Sequence, residues 1–198
     1  MKVSSTAIAI VVAFTALSLV LSRAVSGISV PAPYFPFLAY EIWELPIIAA
    51  FFLFGPRYAV AITLLSGFTL VAIFASYIYF GGILACLSML LGLYLGNRLF
   101  AHRAAEGKPL SGKKAVLIYT ALAALFRAVN LAAFDIVFLR FPPYSLPEPV
   151  IIAILAPITL FNLTEPLYVI PIGSFIAKRV GSYLKIGTTS KTTAKPLN

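Results

Sequence analysis

Residues 150–177 read VIIAILAPITLFNLTEPLYVIPIGSFIA, a long apolar run with Asn162 and Glu165 near its middle and prolines at 157, 166 and 171. A bilayer core of about 30 Å takes roughly 20 apolar residues per helix. This run is long enough to cross one, which would sink both polar side chains in hydrocarbon. Such placement is costly, and the groups that bear it are candidates for function. The rest of the chain has the same character. Of its 198 residues 61% are hydrophobic and 11% charged, and mean hydropathy is +1.01. Soluble domains carry about 45–50% apolar and about 25% charged residues. So few charges cannot cover so much apolar surface in water. The chain reads as all-α and polytopic, a bundle of six transmembrane helices.

The six apolar runs are Ala7–Leu21, Trp43–Phe54, Tyr58–Phe80, Ile83–Leu99, Ala115–Leu139 and Val150–Ala177. The second is short, and reaches span length only if its helix also takes in Ala39–Ile42. Gly55-Pro56-Arg57 marks a turn after it, and Gly81-Gly82 the end of the third run. Residues 1–185 are expected to form one membrane domain, with 186–198 as a flexible cytoplasmic tail.

The net charge of +9 points first to nucleic acid, but its distribution gives a different reading. Six spans put both ends on one side. Twelve of the fifteen Lys and Arg residues fall on that side, from Lys2 through the loop holding Arg103 and Lys108 to Lys195. Cytoplasmic loops carry such an excess, so both termini are expected in the cytoplasm and nucleic acid is not an expected partner. Arg23, just after the first run, counts against cleavage of that run as a signal peptide.

Several chemistries are excluded. The single cysteine, Cys86, lies in an apolar run, so there is no disulfide framework. His102 is the only histidine, and no metal site or cofactor is expected. Residues 107–114, GKPLSGKK, approach a phosphate-binding loop but place Lys114 where a magnesium-holding Ser or Thr is needed. No nucleophile and base can be brought together in the membrane, so no catalytic activity is expected. Gly92 and Gly96 suggest close helix packing within the chain.

The acidic residues are distributed in the opposite sense to the basic ones. Counted from Lys114 and Lys178 as cytoplasmic ends, Arg127 and Glu165 each lie about 20 Å into the fifth and sixth spans. Asn130 and Asn162 each lie about 24 Å in. Asp135 is nearer the outer surface. Matching depths on adjacent antiparallel helices predict an Arg127–Glu165 pair beside a cavity open to the outside, between the outer halves of spans four to six. A polar clamp between two helices is the structural alternative. Before the second run, VPAPYFPFLAY (30–40) combines prolines with Tyr34, Phe35, Phe37 and Tyr40. It reads either as an interfacial aromatic belt or as a lid over a flat ring-containing ligand. Glu41 and Glu44 follow, three apart, as on one helix face. Ala9 and Ala13 on the first helix would let another helix approach closely.

Residues 38–56, LAYEIWELPIIAAFFLFGP, resemble the second-helix signature of S components of energy-coupling factor (ECF) vitamin transporters. Glu41 stands in the acidic place, and Pro46 and Gly55-Pro56 match. Phe161-Asn162-Leu163 is similar to a Pro-Phe-Asn-Leu stretch in the last helix of riboflavin-type members. Ala9-x-x-x-Ala13 is similar to the docking motif of their first helix. Residues 127–144 resemble their fifth helix and the loop after it. The resemblance implies a six-helix substrate-binding subunit in a prokaryotic cell membrane, without an ATPase of its own. It also implies capture of a vitamin-like molecule, riboflavin being favoured. Its partners would be a transmembrane coupling protein and two ATP-binding cassette ATPases. The implied contacts are Glu41, Glu44, Arg127, Asn130, Asp135, Asn162 and Glu165. Glu165, Asp135 and Ala39 depart from the riboflavin-type pattern, which counts against riboflavin itself. The alternative is a non-transport scaffold of an envelope complex, in which Ala9 and Ala13 matter and the intramembrane polar set does not.

Overall fold

The computed structural model describes residues 5–74, 78–105, 112–142 and 144–184. The near-phosphate loop at 107–111 and the tail at 186–198 lie outside them. In chain order the elements are α1 (Ser5–Leu21), a single turn α2 (Arg23–Ser26), β1 (Val30–Ala32), β2 (Phe35–Tyr40), α3 (Leu45–Phe54), α4 (Pro56–Phe74), α5 (Ile78–Ala105), α6 (Gly112–Phe138) and α7 (Glu148–Leu184). The fold is helical, with one two-stranded antiparallel hairpin that the all-α reading did not include.

Among the described residues four helices, α4 to α7, are long and apolar enough to cross a membrane. The expectation of six full spans meets two shorter apolar helices, α1 with 17 residues and α3 with 10. At 1.5 Å per residue α3 is only about 15 Å long. Its surroundings account for this. Pro46, Ile47, Ile48, Ala49, Ala50 and Phe51 are all buried, and α1, α4 and α7 pack around the helix. A helix enclosed by protein need not match the thickness of the bilayer. With Ile62, Met89, Leu93, Val169 and Ile170 it forms the centre of the core. The outer faces are apolar too: Val12, Phe68, Leu125, Ile152 and Phe175 are all more than half exposed. A surface of that kind belongs against lipid rather than water.

Ala39–Ile42 do not extend α3. Val30 pairs with Tyr40 and Pro31 with Ala39, so the segment before α3 is spent in the hairpin. Pro46 lies in the first turn of α3, where its missing N–H costs nothing, and Glu44 is the residue before the helix. Glu41 therefore stands on the β2–α3 connection and does not share a helix face with Glu44. The third run is also corrected. α4 ends at Phe74 and α5 begins at Ile78, which leaves Gly81-Gly82 inside a helix. Glycine costs a helix interior only about 1 kcal/mol, which an apolar span with packed neighbours tolerates.

Gly92 and Gly96 act within the chain. A Cβ on Gly92 would stand 2.6 Å from the Ala123 Cα and 2.7 Å from the Leu122 carbonyl oxygen of α6. Because backbone is in the way, the two helices would have to separate. Gly92→Ala is expected to lower unfolding stability by about 1–3 kcal/mol, the usual cost of overpacking. Thermal unfolding in detergent checks this, with the exposed Leu91→Ala as control; equal shifts in both would refute the close-packing role.

Candidate ligand-binding site

The site begins at the crossing of α6 and α7. Arg127 is on the buried face of α6 with Ala123, Ala124 and Ala128, whose small side chains bring neighbouring helices close. Asn162 and Glu165, three apart on α7, share one helix face and point at Arg127. Glu44, just ahead of α3, closes the group from a third element. Arg127 donates from Nε to Asn162 Oδ1 at 3.1 Å, and from Nη1 to both Glu44 oxygens at 2.9 and 2.7 Å. Its Nη2 donates to Glu165 Oε2. Arg127 and Glu165 are 3% exposed and Glu44 1%. Burying these charges is costly, and mutual pairing with saturated hydrogen bonding is what offsets it.

Matching depth along α6 and α7 thus puts Arg127, Glu165 and Asn162 together. It misplaces Asn130. Three residues on from Arg127, Asn130 is turned toward α5 and donates from Nδ2 to Ser88 Oγ at 3.2 Å. Asp135 is half-buried and lies about 12 Å farther along α6 than Arg127, outside the cluster. The three charged side chains of the cluster are closed to solvent, none of them more than 3% exposed.

The hollow lies beside it. A cavity of about 320 Å³ is lined by Val30, Tyr40, Ile42, Thr164 and Tyr168, between the hairpin, the start of α3 and α7. That volume is at the small end of ligand sites. Tyr168 joins hollow to cluster. Its hydroxyl donates to the Glu41 carbonyl at 2.6 Å and stands 3.5 Å from Glu165 Oε1. Thr164 and Tyr168 carried no signal in the sequence. Four residues apart on α7, they share a face beside the one that holds Glu165, and that spacing could have singled them out.

The lid segment is a hairpin fastened to α7. Tyr40 Oη is 2.7 Å from Thr164 Oγ1 and 2.6 Å from Tyr34 Oη. The Tyr40 ring lies 4.9 Å from that of Phe161 and 5.9 Å, edge-on, from that of Tyr168. Burial pushes the Tyr40 hydroxyl up from its ordinary pKa, against the hydrogen bond with Thr164. Phe35 and Phe37 stack edge-on with each other, and Phe37 is 83% exposed, so it faces away from the hollow. Glu41 accepts the Arg23 backbone N–H at 3.1 Å, and burial raises its carboxyl above the usual range. Ala9 and Ala13 are exposed on the outer face of α1.

Comparison with solved structures identifies the architecture. A structure described as the S component of a bacterial ECF transporter matches with a TM-score of 0.71, covering 91% of this chain and 98% of that one at 20% sequence identity. The chain therefore has the fold of an ECF transporter S component. No family profile matches the sequence, and no curated protein does.

Proposed function

We propose that this protein is the membrane-embedded substrate-binding subunit of an ECF-type importer, which captures a vitamin-like small molecule from outside the cell. The observation that carries this reading is the buried Glu44–Arg127–Glu165 cluster, set beside an aromatic-walled hollow on an S-component fold. The hairpin at 30–40 serves as the lid, Tyr40 and Tyr168 give flat apolar contact to a ring, and Thr164 offers a hydroxyl. Glu41, Glu44, Arg127, Asn162 and Glu165 are the polar groups behind the hollow, linked to it through Tyr168. Asn130 and Asp135 stand farther off and would meet only a larger ligand. Riboflavin is the first ligand to test. Both termini face the cytoplasm in this reading, and six helices cross or enter the membrane. The exposed Ala9 and Ala13 support docking on a transmembrane coupling protein driven by two ATP-binding cassette ATPases.

The test is to purify the full chain, identify any co-purifying small molecule by mass spectrometry, and titrate riboflavin and other vitamins against the emission of the sole tryptophan, Trp43. Sub-micromolar binding of one of them is expected. No response to any vitamin at micromolar concentration, with nothing co-purified, overturns the reading. Thr164→Val removes the hydroxyl that fastens Tyr40. One hydrogen bond contributes about 0.5–1.5 kcal/mol, so affinity should fall roughly twofold to tenfold, mainly through faster release. Unchanged release would mean that the hairpin is not a lid.

A further inference from the structure

We infer that the groove between α4 and α5 binds an anionic phospholipid, with an acyl chain along its apolar walls and the phosphate held by Arg57, Arg98 and the Tyr94 hydroxyl. The groove shares no residue with the hollow beside the hairpin. Its shape and its charge are separate observations, and each points to this occupant.

The shape comes from residue spacing. Leu87, Leu90, Leu91 and Tyr94 fall at i, i+3, i+4 and i+7 on α5 and make one stripe. Pro56 and Val60, four apart on α4, form the facing wall, and the groove between them holds about 270 Å³. Leu91 is 44% exposed, so the groove opens on the outer, lipid-facing side of the bundle. Pro56 is the first residue of α4, whereas Tyr94 is in the second half of α5. The two helices therefore run in opposite senses here, and the start of α4 meets the far part of α5. That brings Arg57 and Arg98 to the same end of the groove. Arg98 continues the α5 stripe one turn beyond Tyr94, about 16 Å along the axis from Leu87. The groove is thus apolar along its length and basic at one end.

The charge at that end is unanswered by the protein. Neither α4 nor α5 carries an Asp or Glu. Arg57 and Arg98 are both exposed, and among the described residues neither pairs with a carboxylate. Arg98 is nevertheless held in place. Its Nε donates to Tyr94 Oη at 2.9 Å, and its guanidinium carbon lies 5.3 Å from the centre of the Tyr94 ring. Both Nη groups of Arg98 remain to donate. So does the Tyr94 hydroxyl, which accepts in that bond and keeps its own hydrogen. Guanidinium forks match phosphate oxygens in geometry and charge. A free anion would use these donors and leave the apolar walls bare. A neutral lipid would fill the walls and leave both arginines unpaired. An anionic phospholipid uses both parts, and basic pockets between helices recognise such headgroups.

The test is native mass spectrometry of the delipidated full chain in detergent, titrated with phosphatidylglycerol and with phosphatidylcholine of the same acyl chains. Wild type should retain phosphatidylglycerol in preference. Arg57→Gln combined with Arg98→Gln should lower that preference roughly thirtyfold, about a factor of five for each basic residue at a charged membrane surface. Both side chains are exposed, so the variant should fold as wild type does. Lys113→Gln with Lys114→Gln removes the same charge from the start of α6 and should leave the preference intact. Leu91→Trp, which covers the groove and keeps both arginines, should also weaken retention. Equal retention of the two lipids by wild type leaves the groove to bulk lipid or to a helix of another protein and overturns the proposal. An equal loss in the lysine control, which would show diffuse attraction only, overturns it too. So does unchanged retention in Leu91→Trp, or displacement of the lipid by inorganic phosphate alone, which would mark a free-anion site. None of these measurements uses a vitamin, so they stand apart from the ligand titration.

Discussion

Arg127→Leu is expected to destabilise the folded protein by about 3–5 kcal/mol, the cost of leaving a buried carboxylate without its partner. It should also abolish ligand binding. Arg127 on α6 bonds at the same time to Glu44, just ahead of α3, and to Asn162 and Glu165 on α7. Leucine keeps the apolar packing of the stem and removes every donor. Glu44, 1% exposed, must then take a proton or draw in water, and Asn162 Oδ1 loses its partner. Lysine keeps the charge but offers one compact ammonium where three partners, Glu44 ahead of α3 and Asn162 and Glu165 on α7, need a planar fork. Arg127→Lys should therefore recover only part of the lost stability. Denaturant unfolding in detergent micelles measures both variants. A midpoint for Arg127→Leu equal to that of wild type would show that the cluster does not hold α3, α6 and α7 together.

The sequence made the ion pair legible because charge in an apolar run is rare and depth along a helix is simple arithmetic. Arg127 and Glu165 are each the same number of residues from a basic helix end, and they meet. The same arithmetic could not rotate a helix about its axis. Asn130 matches Asn162 in depth yet bonds Ser88 on α5, because depth along a helix axis says nothing of which neighbour a side chain meets around it. Glu44 stands out in the sequence, but its i, i+3 spacing from Glu41 puts the two on one face only in a helix, and Glu41 lies ahead of α3. The prolines at 31, 33 and 36 that made the preceding segment look like a lid are also what keep it out of α3. The short length of Trp43–Phe54 was legible and its cause was not. Nothing in an apolar run says whether lipid or protein surrounds it, and α3 is surrounded by protein.

The structure also changes the experiment that separates a binding subunit from a scaffold. Replacing Arg127 and Glu165 alone would leave Glu44 buried without a partner, and loss of activity could then reflect loss of fold. All three must be replaced together. Buried ion networks exchanged for apolar residues of similar volume are often neutral for stability or raise it by about 1–4 kcal/mol, because the desolvation cost disappears with the charges. The combined variant Glu44→Met, Arg127→Leu, Glu165→Met is therefore expected to unfold no earlier than wild type and well after Arg127→Leu. Asn162 keeps its bond to the Ile158 carbonyl and loses only its bond to Arg127. If the protein is a substrate-binding subunit, this stable variant should lose ligand affinity by at least a hundredfold. The polar groups behind the hollow would be gone while Tyr40, Thr164 and Tyr168 remain. If the chain is a scaffold, the variant should complement a deletion strain as well as wild type does, and only substitutions on the outer face of α1, such as Ala9→Leu with Ala13→Leu, should impair it. Intact ligand binding in the apolar variant would show that the buried charges are a clamp between helices and that the hollow recognises its ligand through aromatic and hydroxyl groups alone.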